Sequence, residues 1–356
     1  MMVGGVDISA INLDNSDFVL PEVVQGRWLN ADADIYAYNC AGNDDTTHEE
    51  VVFNLKAMVA GRMQAAGATD YVLHLTGDGS DKGKRHDVAC LKQYQVGRID
   101  KPKPKNLAFA RQYIKTNMKA EVHYDQEADD GLAQFQQNFI DVGQIELCVL
   151  DSQDKDLRMV LGLHLDPDTD KIVEVKGFDS CWYDSDKSKT SGWGTSFFWH
   201  QLLMGDVADD IPGLPAFGKQ LSYTKWPTAP LKEQIRRVSE LTMPSGKELT
   251  EKQYKAARDK VDELRATFKG KSAGAKGTYE YLLGVDNDKD AYDLVLAAYE
   301  SHYGTGDFEF TDWRGNTYSR TANQMMNEQA VLLWMRRKNS ILDVLDFFNE
   351  VNNGKV

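Results

Sequence analysis

Three short apolar segments, each followed by aspartates, constrain most strongly what this chain can fold into. Helical periodicity separates the segments, and a strand–helix–strand alternation is typical of a parallel α/β sheet. Ligands bind such sheets in the crevice beyond the carboxyl ends of the strands, so we expect the aspartates to converge there. The segments are residues 28–29 leading into Asp32, residues 71–75 leading into Asp78, and residues 145–150 leading into Asp154 and Asp156.

Two further acidic stretches contain Glu127, Asp129 and Asp130 at a predicted helix start, and Asp206 and Asp209 in the segment 205–213. Helix capping and the helix dipole are the simpler explanation for the first stretch. Nine carboxylates brought together would repel one another and raise their pKa values, whereas Mg²⁺ and Mn²⁺ favour oxygen ligands. The sequence therefore predicts a site for two or more such ions, the arrangement that hydrolyses phosphodiesters.

A basic segment lies beside the acidic ones in the sequence. The formal charge of -14 argues against a nucleic-acid partner, yet residues 81–119 carry a local charge of +8. Such a segment is suited to hold phosphates next to a metal site. We expect it to guide a nucleic-acid strand through Lys82, Lys84, Lys101, Lys103 and Lys105.

Neither a membrane span nor a signal peptide is indicated, because the chain has no apolar run of about 18 residues and no basic-then-apolar N-terminus. We expect a cytoplasmic protein without membrane contact. Its cysteines are scattered and lack zinc-site spacing, which predicts four free thiols: Cys40, Cys90, Cys148 and Cys181.

Six motifs in order give the chain a resemblance to the flap endonuclease family, which includes the 5′ nuclease domain of bacterial DNA polymerase I and the stand-alone 5′–3′ exonucleases of tailed bacteriophages. The length, with no polymerase attached, is most similar to the phage enzymes. The motifs are residues 32–38, Gly77-Asp78 with Arg85, residues 94–98, 127–130, 154–157 and 205–213.

The resemblance implies a PIN-like parallel sheet flanked by helices, with a helical helix-three-turn-helix DNA-binding region. It implies that all nine carboxylates bind Mg²⁺ or Mn²⁺ directly or through water, Asp130 from the outer shell. Arg85 and Arg98 would contact the scissile phosphate. A K⁺ ion is implied at the DNA-binding hairpin. The implied substrate is DNA with a 5′ end, flap or junction, including RNA–DNA hybrids, and we expect a monomer, in the host cytoplasm if phage-encoded.

Two positions depart from the family pattern. Gln95 stands where the family usually has a phosphate-facing lysine, and we expect Lys92, or else Lys84, to replace it. The duplex-binding hairpin is assigned to Gly274, Lys276 and Gly277, with residues 217–219 as a candidate closer to the acidic motif.

The predicted domains are an α/β nuclease domain (1–195), a DNA-binding region (196–303) with an inserted helical hairpin at about 216–271, and a C-terminal helical extension (304–356). The activity predicted is metal-dependent 5′–3′ exonuclease or flap endonuclease cleavage of DNA. The alternatives are a non-catalytic DNA-binding scaffold, supported by Gln95, and a PIN-type ribonuclease.

Overall fold

A computed structural model describes residues 2–3, 6–7, 21–98, 101–214, 249–266 and 274–355. A six-stranded sheet in the order β5-β4-β3-β6-β7-β8 forms its centre. Its strands are β3 (Trp28–Asp32), β4 (Asp70–Thr76), β5 (Ala120–His123), β6 (Cys148–Asp151), β7 (Gly162–Leu165) and β8 (Ile172–Val175). Strands β1 (Met2–Val3) and β2 (Val6–Asp7) form a separate pair.

The first five strands of this order run parallel, and β8 alone is antiparallel, against β7. Strand β6 is buried throughout and β3 nearly so, as expected of strands covered on both faces. The predicted parallel α/β sheet flanked by helices is thereby confirmed. The third predicted strand begins later than expected, because residues 145–147 form a 3₁₀ turn before Cys148.

Helices cover both faces of the sheet. The capping box between Thr47 and Glu50 starts α2, and Gly67 ends it in the left-handed conformation. The helices in residues 21–214 are α1 (Ala33–Cys40), α2 (His48–Ala66), α3 (Arg85–Val88), α4 (Leu107–Asn117), α5 (Ala128–Asp141) and α6 (Thr195–Met204). Between β8 and α6 lies the hairpin β9 (Cys181–Asp184) and β10 (Lys189–Gly192).

Most of the helices in the remaining described residues pack against α6. The elements are α7 (Glu251–Ala266), α8 (Ala275–Tyr281), α9 (Asp288–Tyr303), β11 (Phe308–Thr311), β12 (Thr317–Arg320), α10 (Ala322–Leu333) and α11 (Asp343–Asn352). Residues 304–355 contain a hairpin followed by two helices.

An aromatic cluster forms the core between α6 and the C-terminal helices. Trp199 of α6 stacks on Phe348 of α11, with ring centroids 5.4 Å apart, while Phe198 meets Trp334 edge-on at 4.8 Å. Both indole N–H groups donate to buried aspartates, as buried tryptophans require. Leu132 of α5 belongs to the same cluster of buried residues, so the C-terminal helices and the α5 face of the sheet share one core.

Residues 217–219 and most of the predicted hairpin at 216–271 lie outside the described residues, so the helix-three-turn-helix stays a prediction. None of the helices in the described ranges has the length and apolar character needed to cross a membrane. The four cysteines are free thiols, as predicted.

Candidate active site

The carboxyl ends of β3 and β6 place the first two carboxylates of the site. Asp32 ends β3 and caps α1 by accepting hydrogen bonds from the backbone N–H groups of Asp34 and Ile35, at 3.0 and 3.1 Å. Its second oxygen accepts from the Ser152 hydroxyl at 2.9 Å. Asp154 follows β6 and caps the 3₁₀ turn Lys155–Met159. Both acids are thus held rigidly by local backbone.

Asp129, in the first turn of α5, faces these two aspartates. Burial, together with the charges of Asp34 and Asp154, raises the pKa of Asp32 to about 7. Burial and the charges of Asp32 and Asp154 raise the pKa of Asp129 well above its ordinary range. Mutual repulsion of this kind shows that acids from three separate segments occupy one place.

Asp156 and Asp206 extend the cluster on one side, and Lys155 lies between them. The Lys155 ammonium contacts both, at 2.7 Å from Asp156 Oδ1. Burial and Asp154 raise the pKa of Asp156 well above its usual value. Burial also acts to raise the pKa of Asp206, but the Lys155 charge outweighs it and lowers that pKa. The buried Gln201 amide fixes Asp156 at 2.5 Å.

Glu127 and Asp209 extend the cluster on the other side, where Gln95 connects them. The Gln95 amide donates to Glu127 Oε1 at 3.2 Å and to Asp209 Oδ1 at 3.1 Å. The Tyr94 hydroxyl donates to Glu127 at 2.9 Å, and Arg98 pairs with Asp209. Burial raises the pKa of Asp209 to about 6, against the lowering effect of Arg98.

Two glycines shape the loop that carries Asp206 and Asp209. Gly205 and Gly213 have φ values of +77° and +63°, and a Cβ on Gly213 would lie 2.3 Å from the Gly205 nitrogen. Only glycine tolerates this conformation with so close an approach. The loop is closed by the backbone bridge between Asp206 and Ile211.

Seven of the nine predicted carboxylates therefore form one cluster, and two lie outside it. Asp78 is fully exposed, and its nearest cation is Arg111 at 3.7 Å. Asp130 is fully buried, with both oxygens held by arginines: Arg85 at 2.7 and 2.8 Å, and Arg336 at 2.8 Å. Although burial acts in the opposite direction, these charges hold the pKa of Asp130 well below its usual range.

The side chains predicted to contact phosphate differ in exposure and in their partners. Arg98 lies at the exposed rim, whereas Arg85 is buried and spans Asp130 and Glu127, with its Nη1 3.2 Å from Glu127 Oε2. Lys92 is half-exposed and bound to Asp210 at 2.6 Å rather than to the cluster. Lys82 instead contacts Gln95 and lies 3.6 Å from Glu127 Oε1. Lys84 is exposed.

The remaining predicted DNA-binding residues occupy three places. Lys103 and Lys105, with Arg111 and Lys115, line a cavity of about 280 Å³ that also includes Asp78. Lys101 is exposed near Arg98. Gly274, Lys276 and Gly277 lie at the start of α8, with Lys276 exposed and 3.9 Å from Glu280.

Sequence reasoning missed the polar residues between the acids. The charge of Asp34 raises the pKa of Asp32, and the only sequence signal for Asp34 was its place two residues after Asp32 in the motif 32–38. Lys155 stands between two predicted ligands in the sequence, and this placement was its signal. Nothing in the sequence indicated that Gln95 joins Glu127 to Asp209, because its partners come from distant segments.

The cluster fits divalent metal ions. Its donors are carboxylate oxygens, which Mg²⁺ and Mn²⁺ prefer, and burial together with neighbouring carboxylate charges raises the pKa values of Asp32, Asp129 and Asp209. The positive charge of the Lys155 ammonium already lies between Asp156 and Asp206, where a metal ion could also bind. The residues that would hold the ions are Asp32, Asp129 and Asp154, with Asp156 and Asp206 on one side of the cluster and Glu127 and Asp209 on the other.

We predict that the thermal stabilisation by Mg²⁺ grows between pH 5 and pH 8. Asp32 and Asp209, with folded pKa values of about 7 and 6, keep protons that the unfolded chain loses near pH 4. In chelator their contribution to stability therefore falls as pH rises through this window, and Mg²⁺ displaces fewer protons at higher pH. The measurement is the Tm difference between Mg²⁺ and EDTA at each pH. Titration of the buried histidines changes the Tm in Mg²⁺ and the Tm in EDTA equally. A Tm difference that does not change with pH would contradict the prediction.

No protein-family model and no curated protein matches the sequence. Among solved structures, the chain is similar to the T5 D15 protein co-crystallised with metal ions, at 13% identity and a TM-score of 0.39 over 77% of this chain and 93% of that one. It is similar to the zinc-bound T5 5′-exonuclease, at 12% identity and a TM-score of 0.39 over 86% and 99%. It is also similar to a DNA complex of the bacteriophage T5 D15 flap endonuclease, at 11% identity and a TM-score of 0.37 over 86% and 99%. TM-scores below 0.5 support no conclusion about chemistry, which depends on the residues of the site.

Proposed function

We propose that this protein is a divalent-metal-dependent 5′ nuclease that hydrolyses phosphodiester bonds in DNA. The single observation that carries the proposal is the cluster of seven carboxylates from separate chain segments at the carboxyl edge of a parallel sheet, where burial and neighbouring carboxylate charges raise the pKa values of Asp32, Asp129, Asp156 and Asp209. Such a cluster costs stability unless cations neutralise it, so it has a use beyond folding.

The chain's own residues prepare the site for a phosphodiester. When bound, Mg²⁺ or Mn²⁺ ions would lower the pKa of an attacking water and neutralise charge on the phosphate oxygens. Asp32, Asp129 and Asp154 would hold the ions at the centre. Gln95 and Tyr94 fix the orientation of Glu127 through hydrogen bonds of 3.2 and 2.9 Å, which keeps the rim rigid when substrate enters.

Cations at the rim would bind the phosphate. Lys82 and Arg98 are partly exposed, and Lys82 lies 3.6 Å from Glu127 whereas Arg98 pairs with Asp209. Arg98 presents a guanidinium fork that suits a phosphate. Arg85 is instead a positioning residue, because it is buried behind Glu127. The basic cavity formed with Lys103 and Lys105 would receive the neighbouring 5′ strand.

We infer that the nuclease uses two metal ions and prefers DNA with a 5′ end, flap or junction. We also infer that it acts on RNA–DNA hybrids and that it is a cytoplasmic monomer. A K⁺ ion at the duplex-binding hairpin would complete the DNA contact. The non-catalytic scaffold is less favoured because Gln95, its main support, has its own place between two carboxylates.

Cleavage of 5′-labelled substrates tests the function. We expect a flapped DNA duplex to be cut in Mg²⁺ or Mn²⁺ and to remain intact in EDTA. The matching RNA duplex should be cut more slowly. Intact DNA in the presence of metal, with the duplex still bound, would favour the scaffold. Faster cleavage of RNA would favour the PIN-type ribonuclease.

We predict that Lys82, rather than Lys92, supplies the lysine missing at position 95. Lys82→Met should lower kcat for DNA cleavage roughly 10²-fold, because it removes a donor directed at developing charge. Lys92→Met is the matched control and should change kcat less than about threefold, since the Lys92 ammonium is bound to Asp210. Single-turnover cleavage rates check this, and the reverse ranking would restore Lys92 to the role.

A further inference from the structure

A second group of metal-ligating side chains lies on strands β4 and β5, outside the acidic cluster. His74 is fully buried on β4, and its Nδ1 lies 2.9 Å from Nε2 of His123 at the end of β5. Glu121, on β5, places a carboxylate oxygen 3.9 Å from the same Nδ1. One ligand atom of each residue lies within 4.8 Å of the others. We propose that His74, Glu121 and His123 bind one transition-metal ion of the Zn²⁺ class.

The spacing of the ligand atoms suits such an ion. Zinc binds imidazole nitrogen at about 2.0 to 2.1 Å, which separates two nitrogen ligands in a tetrahedral site by about 3.3 Å. The observed separations of 2.9 and 3.9 Å require small movements of the imidazoles and of the Glu121 carboxylate, whose side chain is 55% exposed. Water would complete the coordination from that open side. Imidazole ligands favour Zn²⁺, Co²⁺ or Ni²⁺ over the Mg²⁺ expected at the acidic cluster.

Burial keeps both imidazoles neutral, the charge state that binds metal. Burial, followed by the neighbouring His123, lowers the pKa of His74 to about 3, and burial lowers the pKa of His123. On the far side of His123, Nδ1 lies 3.2 Å from the amide nitrogen of the buried Gln126, whose oxygen accepts a hydrogen bond from Gln134 at 2.9 Å. Metal on His123 Nε2 requires the ring proton on Nδ1, so the Gln126 amide must turn its oxygen towards that N–H.

The position of the group gives bound metal a structural consequence. The His123 carbonyl accepts a hydrogen bond from Gly77 N at 2.7 Å, and Thr76 Oγ1 accepts one from Ala128 N at 2.9 Å. These contacts connect the ends of β4 and β5 to the first residue of α5, next to Glu127 and Asp129. An ion on His74 and His123 would tie the two strands together and stabilise this part of the fold. The proposal does not depend on the nuclease function.

Co²⁺ binding to the full-length protein tests the proposal, and excess Mg²⁺ is added to compete with Co²⁺ for carboxylate oxygens elsewhere on the chain. We expect one Co²⁺ per chain, with a visible spectrum of nitrogen coordination that Zn²⁺ abolishes. His123→Gln and Glu121→Gln should each weaken binding at least roughly tenfold. His48→Gln, which removes a histidine stacked on Phe109, is the matched control and should leave binding unchanged.

Unchanged affinity in the two ligand variants, or no nitrogen-coordinated Co²⁺ in the wild type, would overturn the proposal and leave an imidazole–imidazole hydrogen bond. Thermal unfolding in EDTA shows whether each variant is folded. If His123→Gln is unfolded, Glu121→Gln decides, because its half-exposed carboxylate is replaced by an amide of the same shape.

Discussion

Asp154→Asn is expected to remove nearly all DNA cleavage while making the metal-free protein more stable. The Asp154 charge raises the pKa of Asp32, Asp129, Asp156 and Asp209, so it lies near all four. Asparagine keeps an oxygen that can accept the 2.9 Å hydrogen bond from Asp156 N, and it removes the charge. The 3₁₀ turn should therefore survive, and the repulsion should decrease.

The expected loss of cleavage is about a thousandfold, equivalent to about 4 kcal/mol of transition-state stabilisation. Duplex affinity should change less than about threefold, since the basic residues are untouched. The measurements are single-turnover cleavage in Mg²⁺ and Tm in EDTA. Asp186→Asn, in the exposed turn between β9 and β10, is the control and should alter neither quantity. Wild-type turnover by Asp154→Asn would refute the assignment of the site.

The position of the site could be predicted from the sequence because strand ends are encoded locally. Apolar runs predict the strands, and the aspartates that follow them identify the carboxyl edge. Asp32 and Asp154 were located in this way. The same rule led to Asp78, which lies two residues beyond β4 and whose side chain is fully exposed beside Arg111. Sequence position alone does not say where a side chain points after a strand ends.

The contrast between Asp129 and Asp130 has a different origin. Successive residues of an α-helix are about 100° apart around its axis, so neighbours face different surroundings. Asp129 faces the other carboxylates, and Asp130 faces the interior. The periodicity predicts that the two will differ. It cannot identify the two arginines that neutralise Asp130, because Arg85 and Arg336 are 45 and 206 residues away in the sequence.

Arg336 links the C-terminal segment to the first turn of α5. Its side chain and its backbone N–H both bind Asp130, at 2.8 and 3.1 Å, and Arg85 donates to the Trp334 carbonyl at 2.9 Å. Gly83 gives the guanidinium space, since a Cβ there would lie 2.2 Å from Arg336 Nη2. Residues far from the site in sequence thus hold the helix that presents Glu127.

Arg336→Met should therefore lower the free energy of unfolding by about 3 kcal/mol, because it leaves a buried carboxylate with one arginine instead of two. Arg158→Met is the matched control: its partner Asp168 is 81% exposed, so the loss should stay below about 1 kcal/mol. Urea unfolding of both variants measures the difference. Adding Asp130→Asn to Arg336→Met should cost less than the sum of the two single changes, since both break the same ion pair. Additive costs would mean that Arg336 stabilises the fold through packing alone.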